Sequence, residues 1–282
     1  MTSGKMKINE ILKNTAHRLK KAGIDTANLD AKLLLGEFLK KDKLYLVVNG
    51  MEDVEINEDF ESLVSRRENH EPMQYILGRA EFYGLGFKVN PNVLIPRPDT
   101  EVLVERVIDF VENKPCVVLD IGTGSGCIPI TILANCKNAK AYTVDISEDA
   151  IEVAEENAKL NKVEDKITFL NMDILNDFPD FEVDCIVSNP PYIEEDVIPT
   201  LMEDVRKYEP YIALSGGEDG LIFYRRIAKK GYNILKDGGL IAFEVGHNQA
   251  KEVEDILTNV GFSGVERIKD LAGIERVVTA IK

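Results

Sequence analysis

The chain has 282 residues, 44% of them hydrophobic and 29% charged, with 34 Lys and Arg against 49 Asp and Glu. That length suits about two domains, and that balance is ordinary for a soluble globular protein. A formal net charge of −15 argues against a surface built to grip nucleic acid, because phosphate contacts need basic groups.

The charge is uneven. Residues 1–75 carry 12 Lys and Arg against 13 Asp and Glu, which leaves 22 against 36 in the remainder. No uninterrupted apolar run approaches the roughly 18 residues of a membrane helix. Cys116, Cys127, Cys136 and Cys185 form no C-x-x-C pair, and only three histidines accompany them. They read as small buried hydrophobes of a reducing compartment, and no metal site is expected. Met1-Thr2-Ser3-Gly4-Lys5 lacks the apolar run of a leader peptide. A cytoplasmic location is expected, with no membrane partner.

The first third reads as helices. Residues 8–21 set Ile8, Ile11, Leu12 and Leu19 on one stripe, and 29–40 carry Leu29, Leu33, Leu34, Phe38 and Leu39. Residues 57–69 carry Phe60, Leu63 and Val64 behind Asn57, a cap-forming residue. Gly23 and Gly50 mark breaks. A small helical bundle over 1–75 follows. Residues 76–98 form a linker punctuated by Gly and Pro, with a short hairpin over Glu81-Phe82-Tyr83-Gly84-Leu85-Gly86-Phe87-Lys88-Val89.

From residue 99 strands and helices alternate. Strands are expected at 117–121, 140–145, 167–170, 183–188 and 239–245, and helices at 100–112, 127–135, 148–161, 219–235 and 248–260. Two short strands near 264–268 and 275–281 close the chain. Ser147 is a cap, Glu148 and Asp149 complement the helix dipole, and Ile151, Ala154 and Ala158 form the buried stripe. Such alternation implies an α/β fold with a mostly parallel, doubly wound Rossmann-like sheet over 99–282.

Two segments carry chemistry. Val117-Val118-Leu119-Asp120-Ile121 runs into Gly122-Thr123-Gly124-Ser125-Gly126, a glycine turn opening a helix. Glycines let a ligand approach the backbone closely. Cys127 stands where a dinucleotide fingerprint has its third glycine, so a pyrophosphate ligand is disfavoured. Asp145 ends the second strand, where a carboxylate can accept from ribose hydroxyls; the alternative is a capping role. Asp173 and Ile174 follow the third strand, where either could face an adenine, and Asp173 could equally cap a turn.

The other segment is Asn189-Pro190-Pro191-Tyr192, at the end of the apolar run 183–188. Two prolines remove two backbone donors, and the residue before a proline is biased to extended geometry. The turn therefore offers the Asn189 amide oxygen, the Pro190 carbonyl and an aromatic ring. That array suits a planar group bearing an NH2. The plain alternative is a proline-rich turn with a surface tyrosine.

Together these blocks resemble class I S-adenosylmethionine-dependent methyltransferases, in the branch of peptide chain release factor glutamine N5-methyltransferases, the HemK/PrmC family. Ile95-Pro96-Arg97-Pro98-Asp99-Thr100-Glu101, Glu71-Pro72-Met73-Gln74-Tyr75-Ile76-Leu77-Gly78 and Glu81-Phe82-Tyr83-Gly84 belong to the same resemblance. It covers essentially the whole chain and implies a seven-stranded methyltransferase sheet. It implies S-adenosylmethionine bound by Gly122, Thr123, Gly124, Ser125, Gly126, Asp145, Asp173, Ile174 and Asn189, with S-adenosylhomocysteine as product. Ile174 stands where family members often carry an aromatic residue, so aliphatic contact replaces stacking.

The implied substrate is the glutamine of a Gly-Gly-Gln loop in a class I release factor. It would be held at Asn189, Pro190, Pro191 and Tyr192, with Asn189, Pro190 and Tyr192 acting in the reaction. Tyr192 is expected against the substrate amide or the cofactor, or else in the core under the turn. Arg97 is expected at the pocket through Asp99 or Glu101, or as a solvated linker charge. His247 reads as a loop residue or a channel lining. Arg225-Arg226 and Lys229-Lys230 read as a solvated helix face. A monomer without direct nucleic-acid contact is expected. A ribosomal-protein glutamine, a nucleic-acid adenine amine, or an inactive cofactor-binding scaffold are the competing readings.

Overall fold

A computed structural model describes residues 5–112 and 114–282; four of the five residues read above for a leader lie outside the described residues. The chain divides into two units. One runs to Gly78 and includes Glu203–Tyr208, and the other is Arg79–Met202 with Glu209–Lys282.

In the first unit the helices Ile8–Lys21, Ala27–Leu39 and Glu58–Glu68 close on Ile8, Ile11, Leu19, Leu34, Leu35 and Phe60. Asn57 caps the third helix, accepting from the backbone N–H groups of Asp59 and Phe60. Leu29 is not on the stripe: it is 46% exposed, because the buried face runs through Ala27, Asp30, Ala31 and Leu34. Asp30 is tolerated there because Arg67 Nε donates to its Oδ2 at 2.8 Å. The helices Lys43–Val48 and Met73–Leu77, and the antiparallel pair Lys5–Lys7 with Asp53–Glu55, are too short for periodicity to reveal. Helix Glu203–Tyr208 joins this unit, where Tyr208 donates its hydroxyl to the Asn69 carbonyl at 2.7 Å.

The second unit opens with the hairpin Arg79–Phe82 and Leu85–Lys88. Its main sheet has seven strands: β1 Cys116–Ile121, β2 Ala139–Asp145, β3 Ile167–Asn171, β4 Val183–Ser188, β5 Leu235–Glu244, β6 Ser263–Lys269 and β7 Glu275–Ile281. Their order is β6-β7-β5-β4-β1-β2-β3. The strands from β1 to β5 pair in parallel, and β7 runs antiparallel to both β5 and β6. β5 starts four residues before its expected position. Gly238-Gly239 and a register shift against β4 disguise that start.

Helices cover both faces, which is why the central strands read as apolar runs. Thr100–Val111 (α1), Cys127–Asn135 (α2) and Glu148–Leu160 (α3) pack through Leu103, Val104, Ile130 and Ala158 on the face of Val118 and Cys185. Ile222–Ile234 (α4) and Ala250–Val260 (α5) pack through Tyr224, Ile227, Val253 and Leu257 on the face of Leu119 and Ile186. Ser147 caps α3, accepting from the Ala150 N–H at 3.2 Å. The stripe of α3 is rotated from the expected one: Val153, Ala154, Asn157 and Ala158 are buried, and Ile151 only partly. The order reverses between β4 and β1, so the loops leaving their carboxyl ends part and open a crevice there.

Candidate active site

The loop after β1 is fastened to β2. Gly122 and Thr123 donate their N–H groups to the Val144 carbonyl at 2.9 and 3.1 Å, and the Gly124 N–H donates to Asp145 Oδ2 at 2.9 Å. Beneath it, the Thr123 and Thr143 hydroxyls lie 2.6 Å apart, and Thr143 donates to Asp120 Oδ2 at 2.5 Å. Gly126 enters α2 at φ 77°; a Cβ there would lie 2.8 Å from Ile130 Cδ1 and 3.1 Å from Ala154 Cβ. The third glycine is thus required by left-handed backbone and by close packing on α3. Buried Asn157 holds the loop from below. Its Nδ2 donates to the carbonyls of Ser125 and Lys88, both at 2.9 Å, and its Oδ1 accepts the Lys88 N–H at 2.7 Å.

A cavity of about 310 Å³ opens above this loop, at the lower end of the usual range for small-molecule sites. Gly122, Thr123, Gly124, Ser125, Asp145, Asp173, Ile174, Asn189, Pro190 and Pro191 all line it, so the structure brings most of the expected site residues together. Gly126 and Tyr192 are not among the lining residues.

Asp145 accepts the Gly124 N–H at Oδ2 and the Ser147 N–H at Oδ1, the latter at 3.0 Å. Burial pushes its carboxyl upward, while the N–H groups of Gly124, Ser147 and Ile146 oppose the shift. Each oxygen keeps a lone pair for a ligand hydroxyl. Asp173 closes its own turn: Oδ1 accepts the Leu175 N–H at 3.0 Å and Oδ2 accepts Asn176 Nδ2 at 2.6 Å. Its side chain thus does the capping job, and its neighbour Ile174 adds an aliphatic wall.

The Asn189-Pro190-Pro191-Tyr192 corner leaves β4 where Ser188 Oγ donates to the Ile121 carbonyl at 2.6 Å. Asn189 Nδ2 donates to Thr100 Oγ1 at 3.3 Å, which leaves Oδ1 as the side-chain atom available to accept from a ligand. The ring of Tyr192 packs against the apolar cluster of α4 and α5, and burial pushes its hydroxyl up to about 12. It is a packing residue under the turn, and neither the surface tyrosine of the plain reading nor a wall of the cavity. The corner is braced from behind. Gln249 Nε2 donates to the Tyr192 carbonyl at 3.0 Å, and a Cβ on Gly220 would sit 2.4 Å from that same oxygen.

Arg97 lines the cavity, but its partner is Glu209, not Asp99 or Glu101. Its Nη2 lies 2.6 and 2.8 Å from the two oxygens of that buried carboxylate. Asp99 instead faces Arg276 at 3.2 Å, and Glu101 accepts the Tyr83 N–H at 2.8 Å. Arg226 is not merely solvated: its Nε donates to the Ile174 carbonyl at 2.7 Å and steadies the loop after β3. His247 is exposed and outside the cavity lining. The sequence reading missed Asn157, Arg226, Glu209 and Gln249 as supports of the site. Only Gln249, three residues beyond the Glu244-Val245-Gly246 strand end, had a local cue.

Among the described residues no group of three or more His, Cys, Asp or Glu could hold a metal ion, and no helix is long and apolar enough to cross a membrane. Cys116, Cys136 and Cys185 are buried free thiols, and Cys127 is a partly buried one.

Comparison with known proteins agrees with this layout. Residues 10–78 match the family model PrmC N-terminal domain, and residues 98–207 match Methyltransferase small domain. A release factor glutamine methyltransferase of Clostridium botulinum is 46% identical over 94% of this chain and 95% of that protein. One from Clostridium acetobutylicum is 43% identical over 98% and 99%. A crystal structure of a methyltransferase from Pyrococcus furiosus shares the fold, with a TM-score of 0.53 at 19% identity over 71% of this chain and 90% of that one. On sequence, fold and site together, the chain belongs to the family of release factor glutamine methyltransferases.

Proposed function

We propose that this chain transfers a methyl group from S-adenosylmethionine to the side-chain N5 of the glutamine in the Gly-Gly-Gln loop of class I peptide chain release factors. The observation that carries the reading is the Asn189 side chain, committed through Nδ2 to Thr100 while it lines the cavity. Its Oδ1 is then the acceptor offered to a substrate NH2.

The cavity residues fit the cofactor. Nothing lies within 4 Å of a Cβ built on Gly124, so that backbone is open to a ligand. Asp145 supplies acceptors for ribose hydroxyls, and Ile146, Ile174 and Phe223 supply apolar wall for a flat base. When bound, S-adenosylmethionine supplies an electrophilic methyl and leaves as S-adenosylhomocysteine.

The protein's own task is orientation. An amide nitrogen is a poor nucleophile because its lone pair is delocalised into the carbonyl. Asn189 Oδ1 and the Pro190 carbonyl together accept both amide protons, which points the nitrogen and favours a lone pair directed at the methyl. Alignment of this kind can be worth effective molarities of about 10⁵–10⁸ M. The nitrogen gains the methyl and sheds one proton to water, so no strong base is needed beforehand. We place the enzyme in the cytoplasm as a monomer, without direct nucleic-acid contact, in keeping with its net charge of −15.

The test is incubation with methyl-labelled cofactor and, separately, purified release factor, ribosomal protein and DNA, followed by mass mapping. Label on the Gly-Gly-Gln glutamine is expected. Label confined to a residue or base without a carboxamide would overturn the reading.

A further inference from the structure

An asparagine amide can turn by 180° with little change in shape, so the groups around it decide which end faces a ligand. Beneath Asn189 lies Glu244, the last residue of β5, only 3% exposed. Ser188 pairs with Phe243 across β4 and β5, so Asn189 and Glu244 leave the sheet side by side. The Thr100 and Asn189 side chains are the polar groups that favour the ionised Glu244 carboxylate, whose Oε2 is buried with no partner. Thr100 Oγ1 accepts from Asn189 Nδ2 at 3.3 Å, so its own single proton is free to face the carboxylate. An ionised carboxylate only accepts, so it welcomes an NH2 and repels a carbonyl oxygen.

We infer that Glu244, with Thr100, is a positioning residue that locks the Asn189 amide with Nδ2 inward and Oδ1 toward the cavity, ready for the NH2 of a glutamine acceptor. The inference rests on the glutamine methyltransferase reading. Charge in the pocket sets when the lock engages. Burial pushes the Glu244 carboxyl up to about 7; the Thr100 hydrogen bond opposes, Asp99 adds to the rise, and Arg276 and Asn189 oppose it. Burial first, and then the Glu244 charge, push the nearby Tyr192, Tyr224 and Cys127 groups upward, so these stay neutral beside it. Below that range a protonated Glu244 gains an O–H that can donate to Oδ1, and the amide is free to turn.

Three variants and one spectrum test this with the full chain. With release factor as acceptor, Glu244→Gln and Thr100→Val should each lower kcat about 10- to 100-fold, the scale of a small misplacement. Cofactor Kd by titration should stay unchanged, and Thr100→Ser should recover most of the loss. The wild-type rate should rise with pH through about 7, and Glu244→Gln should flatten that limb. In ligand-free protein labelled at asparagine, the Asn189 side-chain NH2 resonances should shift across the same pH range and move in Glu244→Gln. Unmoved resonances and an unchanged pH limb in Glu244→Gln would overturn the lock, even where Asn189→Ala abolishes transfer. If Asn189→Ala stayed active, the reading of the corner would fall instead, and the resonances alone would still decide the lock.

Discussion

Gln249 donates from Nε2 to the Tyr192 carbonyl at 3.0 Å while its Oε1 accepts the Gly246 N–H at 3.0 Å. One side chain thus ties the loop after β4 to the loop after β5. Gln249→Ala leaves a carbonyl and an N–H without partners, at about 1–3 kcal/mol if neither finds water. We expect that loss in urea denaturation, together with a lower kcat, because the proline corner loses its brace. Gln249→Glu should be worse for turnover, since it sets a second acceptor against the Tyr192 carbonyl. Wild-type turnover in both variants would remove Gln249 from the site.

Asn189→Ala removes the side-chain acceptor and keeps both prolines. Cofactor affinity should remain near wild type while methyl transfer falls by orders of magnitude, of the size seen when one aligned contact at a reacting centre is deleted, about 10²–10³-fold. Separate calorimetric titration and single-turnover assays distinguish the two effects. Intact transfer would reject the acceptor role of Asn189 and with it this reading of the corner.

Asp145→Ala should do the reverse. It deletes the acceptor at the end of β2 and frees the Gly124 and Ser147 N–H groups that now bond it. Weaker cofactor binding is expected, by about tenfold or more for lost charge-assisted hydrogen bonds. An unchanged Kd in titration would reject the ribose assignment.

Most of this architecture was legible because local signals agreed with the tertiary result. The expected bounds of α2 coincide with the observed Cys127–Asn135, since Gly126 must start it. Strand β4 spans the expected 183–188, and Ser147 caps α3. What escaped is tertiary in origin. Tyr192 is open in the sequence between a ligand contact and core under the turn, and only tertiary packing places its ring against the cluster of α4 and α5. Arg97 looked bound to nearby acids but pairs with Glu209, 112 positions away. Arg226 reaches back 52 positions to a carbonyl, and no periodicity encodes that.

Two buried carboxyls make stability depend on pH in an uncommon direction. Burial pushes Asp120 up to about 7; its Thr143 hydrogen bond opposes the rise and Asp145 adds to it. Burial likewise lifts Glu244 to about 7, amid the Thr100, Asp99, Arg276 and Asn189 contacts already described. The ordinary values are 3.8 and 4.5. In that interval the folded chain binds more protons than the unfolded one, so the stability these groups lend is complete below about pH 4. It is lost as pH rises through about 7. The shifts correspond to about 4 kcal/mol for Asp120 and about 3 kcal/mol for Glu244. Asp120→Asn and Glu244→Gln cannot ionise, so each should gain stability relative to wild type as pH rises from 4 to 8. Urea denaturation at several pH values measures that difference directly. A difference that stays constant with pH would show that the buried carboxyl titrates in the folded protein as it does in the unfolded chain.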